Sequence, residues 1–514
     1  MKTIAFVPVR LTSTRLPRKH LRLIGDKPLL WWVIKRLKDS KELDSIVVCS
    51  PDEPDSKELE GFCDREGVEL YLHPGDVNDV VGRLTTAAKI YGADICVLAS
   101  GDCPLLSTSS IEKLIRYLKE HPDVGRVLVG PAGGKEPIHE GFNVDRRWVW
   151  ELADRYSDTP ELREHQFPVI EVYSDKFSHL KTAEIVDDPV YYEVDHRISV
   201  DTPDDLIFMN ALYDGLMSEG REFNLENVID ILKSNPQLME INRRVHQKEL
   251  KEKTYKVLMI VSAVSGFGYG NLIRAIDVAL ELVDIGIGVD FSVLDSEARS
   301  IVEERYFKCD LIENIENVVE LSTLYDVFIF DLNKDVLVER SIIEKLKTSG
   351  RKVVFIDNVK GGAELADKII MPTAHYSGEE FSNLVHGPEF VVIRREVKGI
   401  RRRLSKKEGT LIRVDDRFKE HAKALWPHGE VVEAFDSGFV ERLAESSLAV
   451  LNLGVSCYEA LYLETMPIIV PRGAEESSEI KRFYSFALSE GAASLGDGAT
   501  NIATVIKRVL KGEI

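Results

Sequence analysis

Short runs of β-branched and aromatic residues alternate with amphipathic stretches along nearly the whole chain, a rhythm that fits layered α/β architecture and little else. IAFVPV, SIVVCS, VELYLH and DICVLAS read as buried strands, and LLWWVIKRLKDS and DVVGRLTTAAKIYG read as the helices that cover them. The rhythm breaks twice. After Asn235 and Pro236 it gives way to the polar stretch INRRVHQKELKEKTYK, and a second break falls in the basic stretch VKGIRRRLSKKEG. With 514 residues and a prior of roughly 150 residues per domain, the breaks predict a first α/β domain over 1–245, a linker over 246–255, and two further α/β halves over 256–400 and 401–514. The expected sheet of the first domain is parallel. Two tandem α/β halves after it describe a GT-B-like pair.

The first strand opens into a loop that concentrates Arg10, Arg15, Arg18, Lys19 and Arg22 in a chain of net charge -20. Thr12, Ser13 and Thr14 add hydroxyls there. Cations and backbone donors gathered after a strand suit the phosphates of a nucleoside triphosphate, although a solvated basic loop has the same composition. The acidic balance, with a pI near 5.2, excludes a broad nucleic-acid or anionic-membrane surface. No apolar run reaches the ~18 residues of a membrane span, and no apolar leader follows Met1, so a cytoplasmic protein is expected. Six scattered cysteines without C-x-x-C spacing predict reduced core residues.

Two acidic motifs follow strands. Gly101-Asp102-Cys103-Pro104-Leu105 ends the fourth run, and Arg197-Ile198-Ser199-Val200-Asp201-Thr202 precedes a helix start at Pro203-Asp204-Asp205. Carboxyl ends of parallel strands are where α/β sheets gather ligands, while a helix-capping Asp explains either motif taken alone. Asp204 and Asp205 suit the first turn of a helix.

The order of residues in the basic loop, P-x-R-x-x-S-x-R-L-P-x-K followed by G-x-K-P-L, resembles the signature of the sugar-acid cytidylyltransferases, which include the CMP-sialate and CMP-Kdo synthetases and SpsF-like enzymes. Pro8, Arg10, Ser13, Arg15, Lys19, Gly25 and Lys27 carry the match, with Val9 where the family usually has Ala. The resemblance implies a GT-A-like nucleotidyltransferase domain, CTP as donor, a sugar acid as acceptor, and a homodimer as in relatives. It assigns catalysis to Arg10, Lys19, Asp102 and Asp201, triphosphate binding to Pro8, Ser13, Arg15 and Lys19, and Mg2+ to Asp102 and Asp201. It also places Arg163-Glu164-His165-Gln166-Phe167-Pro168 near the acceptor and leaves Asn143 where Asp is common.

From Lys256 onward the chain resembles the PseG/SpsG-like nucleotide-sugar hydrolases, relatives of MurG-type glycosyltransferases. Gly266-Phe267-Gly268-Tyr269-Gly270-Asn271, His386-Gly387-Pro388 and Gly454-Val455-Ser456-Cys457-Tyr458-Glu459 carry this likeness. It implies a nucleotide sugar bound with Gly268, Gly270 and Asn271 at its diphosphate and Glu459 at its ribose. Asn271 stands where the family has a histidine base, and an amide cannot accept a proton at neutral pH. Hydrolysis is therefore not expected unless His386 or another group acts. A rival reading takes SGFGYG as a dinucleotide fingerprint with Asp290 on the ribose. The whole reads as a Mg2+-dependent cytidylyltransferase of surface-glycan synthesis joined to a nucleotide-sugar-binding module. A bifunctional glycosyltransferase and a noncatalytic assembly role for the second part are the alternatives.

Overall fold

A computed structural model describes residues 1–165, 167–246, 254–262, 270–332, 336–374, 376–401, 407–432, 438–489, 495 and 497–514. The chain divides into two compact units, Met1–Lys253 and Thr254–Ile514. The division falls within the expected linker, of which residues 247–253 lie outside those described.

The first unit is built on β1 (Thr3–Pro8), β2 (Leu23–Ile24), β3 (Lys27–Pro28), β4 (Ser45–Pro51), β5 (Glu69–His73), β6 (Ile95–Ala99), β7 (Arg126–Val129), β8 (Phe142–Arg146) and β9 (Thr182–Ile185). Seven of them form one sheet in the order β5-β4-β1-β6-β8-β7-β9, and β2 and β3 make a separate hairpin. β1 is central because Ile4, Ala5, Phe6 and Val7 are apolar on both faces and wholly buried. It pairs in parallel with β4 and β6. The expectation of a parallel sheet fails at β8, which runs antiparallel to both β6 and β7. No helix intervenes between β7 and β8, and without a crossover the chain returns beside the strand it left. Helix Leu29–Lys38 follows the basic loop and buries Leu29, Leu30, Val33, Ile34 and Leu37, one stripe at helical spacing.

The second unit holds two sheets. β10 (Lys256–Val261), β11 (Gly288–Val293), β12 (Lys308–Leu311), β13 (Val327–Asp331), β14 (Lys352–Ile356), β15 (Lys368–Met371) and β16 (Leu384–His386) form a parallel sheet in the order β12-β11-β10-β13-β14-β15-β16. β17 (Thr410–Arg413), β18 (Glu430–Val431), β19 (Leu448–Leu451) and β20 (Met466–Ile469) form a smaller parallel sheet, β18-β17-β19-β20. The final helix, Gly498–Leu510, corrects the expected division at residue 400. Ile502, Ile506 and Val509 pack with Leu272, Val283 and Phe291 in the core of the first of these sheets, so the chain returns to the half it had left.

All six cysteines are free and buried. No helix among the described residues is long and apolar enough to cross a membrane. The helix Gly270–Asp284 buries charge as well as apolar surface. Arg274, Asp277, Glu281 and Asp284 are each at most 6% exposed, and Arg274 meets Asp331 at 2.5 Å and Asp357 at 3.0 Å. Burial pushes the Asp331 carboxyl up to about 6 against the pull of Arg274. Removing one partner of such a pair leaves an uncompensated buried charge. Arg274→Leu is therefore expected to destabilise the second unit by about 3–5 kcal/mol in urea unfolding at neutral pH. A change within about 0.5 kcal/mol, the range of ordinary surface substitutions, would show that the pair contributes nothing.

Candidate active site

β1 stops at Pro8, and the basic loop then folds back on itself. Arg18 N–H donates to the Leu11 carbonyl at 3.0 Å and Lys19 N–H to that of Leu16 at 3.2 Å. Ser13 Oγ accepts the Leu16 N–H at 3.5 Å, near the limit of a hydrogen bond. Arg18 takes a left-handed conformation, φ 58°, so the chain reverses and the next side chain, Lys19, turns inward to 8% exposure.

Asp102 follows the end of β6 at a place made by close backbone approach. A Cβ on Gly101 would stand 2.8 Å from the Pro8 carbonyl oxygen and 3.0 Å from the His20 ring. Gly141, at φ +83°, leaves room for the Cys103 sulfur in the same way. Asp201 is brought in by a different device. Thr202 caps the helix Pro203–Ser218 in a capping box with Asp205, and Asp205 Oδ2 accepts the N–H groups of Asp201 and Thr202 at 2.9 and 3.1 Å. Asp205 is thus more than a first-turn acid: it also accepts from Arg197 Nε and Asn242 Nδ2. Val200 N–H donates to the Asp102 carbonyl at 2.9 Å, which ties the two acidic motifs together through the backbone.

Lys19 Nζ lies 2.6 Å from Asp102 Oδ2 and 2.7 Å from Asp201 Oδ1. Arg15 reaches the other Asp201 oxygen at 3.2 Å, and Arg197 donates to it as well. Burial works to lower the Lys19 pKa, but the two carboxylates outweigh it and hold the ammonium above its ordinary value. Burial likewise works to raise Asp201, and Lys19, Arg15 and Arg197 together hold its carboxyl well below the usual range. Arg15 keeps one terminal nitrogen, Nη1, buried without a hydrogen-bond partner, a donor suited to a phosphate oxygen. Among the described residues no three or more His, Cys, Asp or Glu side chains converge as a metal site. Two carboxylates meeting at one point do fit Mg2+, which takes one or two carboxylates and completes its octahedron with water and substrate phosphate.

The structure therefore brings together Arg15, Lys19, Asp102 and Asp201, with Pro8 and Ser13 shaping the loop. Arg10 turns elsewhere, to Asn78 at 3.1 Å and to Glu164 at 4.0 Å. Arg163 is engaged internally: it makes paired bonds of 2.9 Å to Asp79, the cap of helix Val80–Ile90, and a third to Asp154. Gln166 lies outside the described residues. Asn143 is buried and donates to Asp145, a wholly buried carboxylate that also accepts from Trp150 at 2.8 Å. Sequence reading passed over Glu140 as an individual residue, although its Oε1 accepts the Ser199 N–H at 3.1 Å and so braces the segment carrying Asp201. It also missed Asn242, which no local pattern marks.

In the second unit, Gly268 lies outside the described residues, and Gly270 and Asn271 open the helix Gly270–Asp284. Glu459 is wholly buried, with both oxygens taken by Arg394 at 2.5 and 2.7 Å. The ribose role expected for Glu459 would require that clasp to open. Asp290 accepts from Lys256 at 3.1 Å and Tyr325 at 2.8 Å, so the dinucleotide reading loses its ribose ligand to an internal pairing. His386 stands on β16 with Glu380 3.6 Å away.

A lysine ammonium seated on paired carboxylates, with an arginine donor held open beside it, suits a phosphate-bearing ligand, and with the family match the protein is a nucleotidyltransferase. More particularly, the cytidylyltransferase family model matches residues 4–188, and this part of the chain is a cytidylyltransferase domain. An uncharacterized protein of Methanocaldococcus jannaschii is 29% identical over 259 residues, 49% of this chain and 99% of that protein. The spore coat polysaccharide biosynthesis protein SpsF of Bacillus subtilis is 25% identical over 243 residues, 46% of this chain and 96% of its own length. A 3-deoxy-manno-octulosonate cytidylyltransferase of Acinetobacter baumannii is 32% identical over 136 residues, 26% of this chain and 50% of that enzyme. Among solved structures, a cytidylyltransferase from Leptospira borgpetersenii covers 46% of this chain and 97% of its own, with 26% identity and a TM-score of 0.41.

His20 beneath the loop supplies a pH test. Its Nδ1–H donates to the Arg10 carbonyl at 3.1 Å, and burial, aided by the charge of Lys19, lowers its pKa from 6.5 to about 3. The unfolded chain therefore takes up a proton, as pH falls from 6.5 towards 3, that the folded chain refuses. Stability falls over that window by up to about 1.4 kcal/mol per pH unit. His20→Gln should shrink the difference between urea midpoints taken at about pH 7 and about pH 5; an undiminished difference would place the acid sensitivity elsewhere.

Proposed function

We propose that the first unit transfers CMP from CTP to a sugar acid of nonulosonate or related type, with Mg2+, releasing pyrophosphate and feeding surface-glycan synthesis. The observation that carries this reading is the meeting of Lys19, Arg15, Asp102 and Asp201 at one point beside the loop. The choice of CTP is supported by the family match. The choice of a sugar acid is supported by the name of the octulosonate enzyme, and the place in glycan synthesis by that of SpsF.

In this reading Lys19 and Arg15 pass from carboxylate to phosphate oxygens when CTP binds. Arg10 would join the same phosphates only by leaving its contacts with Asn78 and Glu164. The acceptor oxygen forms a bond to the α-phosphorus as the bond to the bridging oxygen breaks, the electron pair leaves with pyrophosphate, and the acceptor's proton passes to solvent. Asp102 and Asp201 would hold Mg2+, which supplies charge neutralisation for the triphosphate when bound. The protein's contribution is positioning and fixed charge, which needs no nucleophilic side chain.

For the second unit we favour a GT-B-like, nucleotide-sugar-binding module. Its two parallel sheets and the Gly270–Asn271 helix start support that reading. Asn271 in place of a histidine base favours a binding or assembly role over hydrolysis, while the buried pairing of Glu459 with Arg394 weighs against Glu459 as a ribose ligand.

The test is pyrophosphate release with Mg2+, each nucleoside triphosphate in turn, and a panel containing Kdo, sialic, legionaminic and pseudaminic acids. Release confined to CTP and one acid is expected. Asp102→Asn and Asp201→Asn should each lower turnover by roughly 10²-fold or more, the scale of losing one electrostatic group at a transition state. Lys19→Ala should weaken CTP binding or turnover. Wild-type turnover in either aspartate variant would remove that residue from the site.

A further inference from the structure

We infer that Lys19 makes loading of the Asp102–Asp201 pair by a divalent cation conditional on a bound triphosphate. The inference rests on the cytidylyltransferase reading above and adds to it an order of assembly.

The geometry is one of direct competition. The two oxygens that would hold the ion stand 2.6 and 2.7 Å from Lys19 Nζ. Mg2+ sits about 2.0–2.1 Å from its oxygen ligands, so an ion held by both oxygens occupies the space that the ammonium fills. Asp201 offers no free alternative, because its second oxygen already meets Arg15 and Arg197. A cation entering alone must displace Lys19, itself only 8% exposed, from both carboxylates, and must approach Arg15 and Arg197 as well. Coulomb repulsion at these distances in a poorly screened site opposes that entry.

A triphosphate changes the balance in one step. Its oxygens can accept Lys19 and the unpartnered Nη1 of Arg15, which frees Asp102 Oδ2 and Asp201 Oδ1 from the ammonium while supplying further oxygens to the metal. Cations and anions then exchange partners, and no charge is left alone. Asp205 keeps its place through this exchange, because its oxygens bond to the backbone of Asp201 and Thr202, to Arg197 and to Asn242.

Mn2+ reports the exchange through its paramagnetic resonance signal. Titrated with Mn2+ alone, the full-length wild-type protein is expected to bind on the order of tenfold or more weakly than Lys19→Met. Adding Asp102→Asn to Lys19→Met should abolish the gain, which locates the ion at this pair. Lys19→Gln, which keeps side-chain N–H donors without the charge, guards against a folding defect in the methionine variant and should show the same gain. Equal Mn2+ affinity in wild type and both single variants would overturn the inference. Relaxation of the phosphorus signals of CTP by Mn2+, measured on the wild-type protein, separates the two levels of the reading. Relaxation that changes when the protein is added to Mn2+–CTP, with no gain in the Lys19 variants, overturns conditional loading alone, whereas relaxation identical to that of Mn2+–CTP without protein overturns the proposed function with it.

Discussion

The contact of Lys19 with Asp102 and Asp201 is the point on which the first unit closes. Three segments far apart in the chain meet there: the loop after β1, the turn after β6, and the approach to the helix Pro203–Ser218. Each is set by its own local device: the left-handed Arg18, the side-chain-free Gly101, and the capping box of Thr202 and Asp205. The backbone bond from Val200 to Asp102 then locks the second and third together. A buried lysine is costly unless its charge is met, so the ammonium and the two carboxylates stabilise one another. The same burial makes any one of them expensive to lose.

Much of this was legible in the sequence, for identifiable reasons. β1, β4 and β6 are buried on both faces, and their continuous apolar runs mark them without help from the rest of the chain. The basic loop and both acidic motifs lie within short, ordered strings, so their resemblance to a family signature marks them where composition alone leaves a solvated loop and capping aspartates open. What escaped depends on tertiary contact. The reversal of β8 follows from a connection without a helix, which periodicity does not record. Asn242 acts through bonds to Asp205 and His196, and Glu140 through a bond to Ser199, all residues distant in sequence, and neither stands in a pattern that separates it from ordinary surface polarity.

The second unit illustrates the same limit in another form. Arg274, Asp277, Glu281 and Asp284 recur at helical spacing and, read as a pattern, describe the solvent face of an amphipathic helix. The structure buries them because partners arrive from elsewhere: Asp331 and Asp357 for Arg274, and Arg395 for Glu281 and Asp284. Asp277, pushed up to about 7 by burial against the pull of Arg395 and Arg394, belongs to the same stripe. Arg395 and Arg394 are neighbours, and Arg394 clasps Glu459 behind the smaller sheet. Two adjacent arginines thus join the helix of one sheet to the helix Val455–Tyr462 of the other, a fixed arrangement of charge that hydrophobic clustering alone does not specify.

A chain of net charge -20 presents a particular difficulty to a nucleoside triphosphate, since its long-range field is repulsive. At physiological ionic strength that field is screened beyond about 8 Å, so recognition must be local. The loop is not a bare positive surface either. Lys19 and Arg15 meet aspartates, Arg18 pairs with Glu58, and Arg10 stands near Glu164. Each of these four cations has an anion beside it, which limits both the self-repulsion of the loop and its attraction for unrelated anions. On the proposed reading, binding would be an exchange of partners rather than a capture of free charge. The phosphates would compete for Lys19 and Arg15 against two fixed carboxylates, and the balance would tip only for a ligand that brings enough negative charge, with a counter-cation to take the carboxylates in return. A monophosphate or a free carboxylic acid offers less of both, so the pairing that stabilises the folded site would also select for a triphosphate.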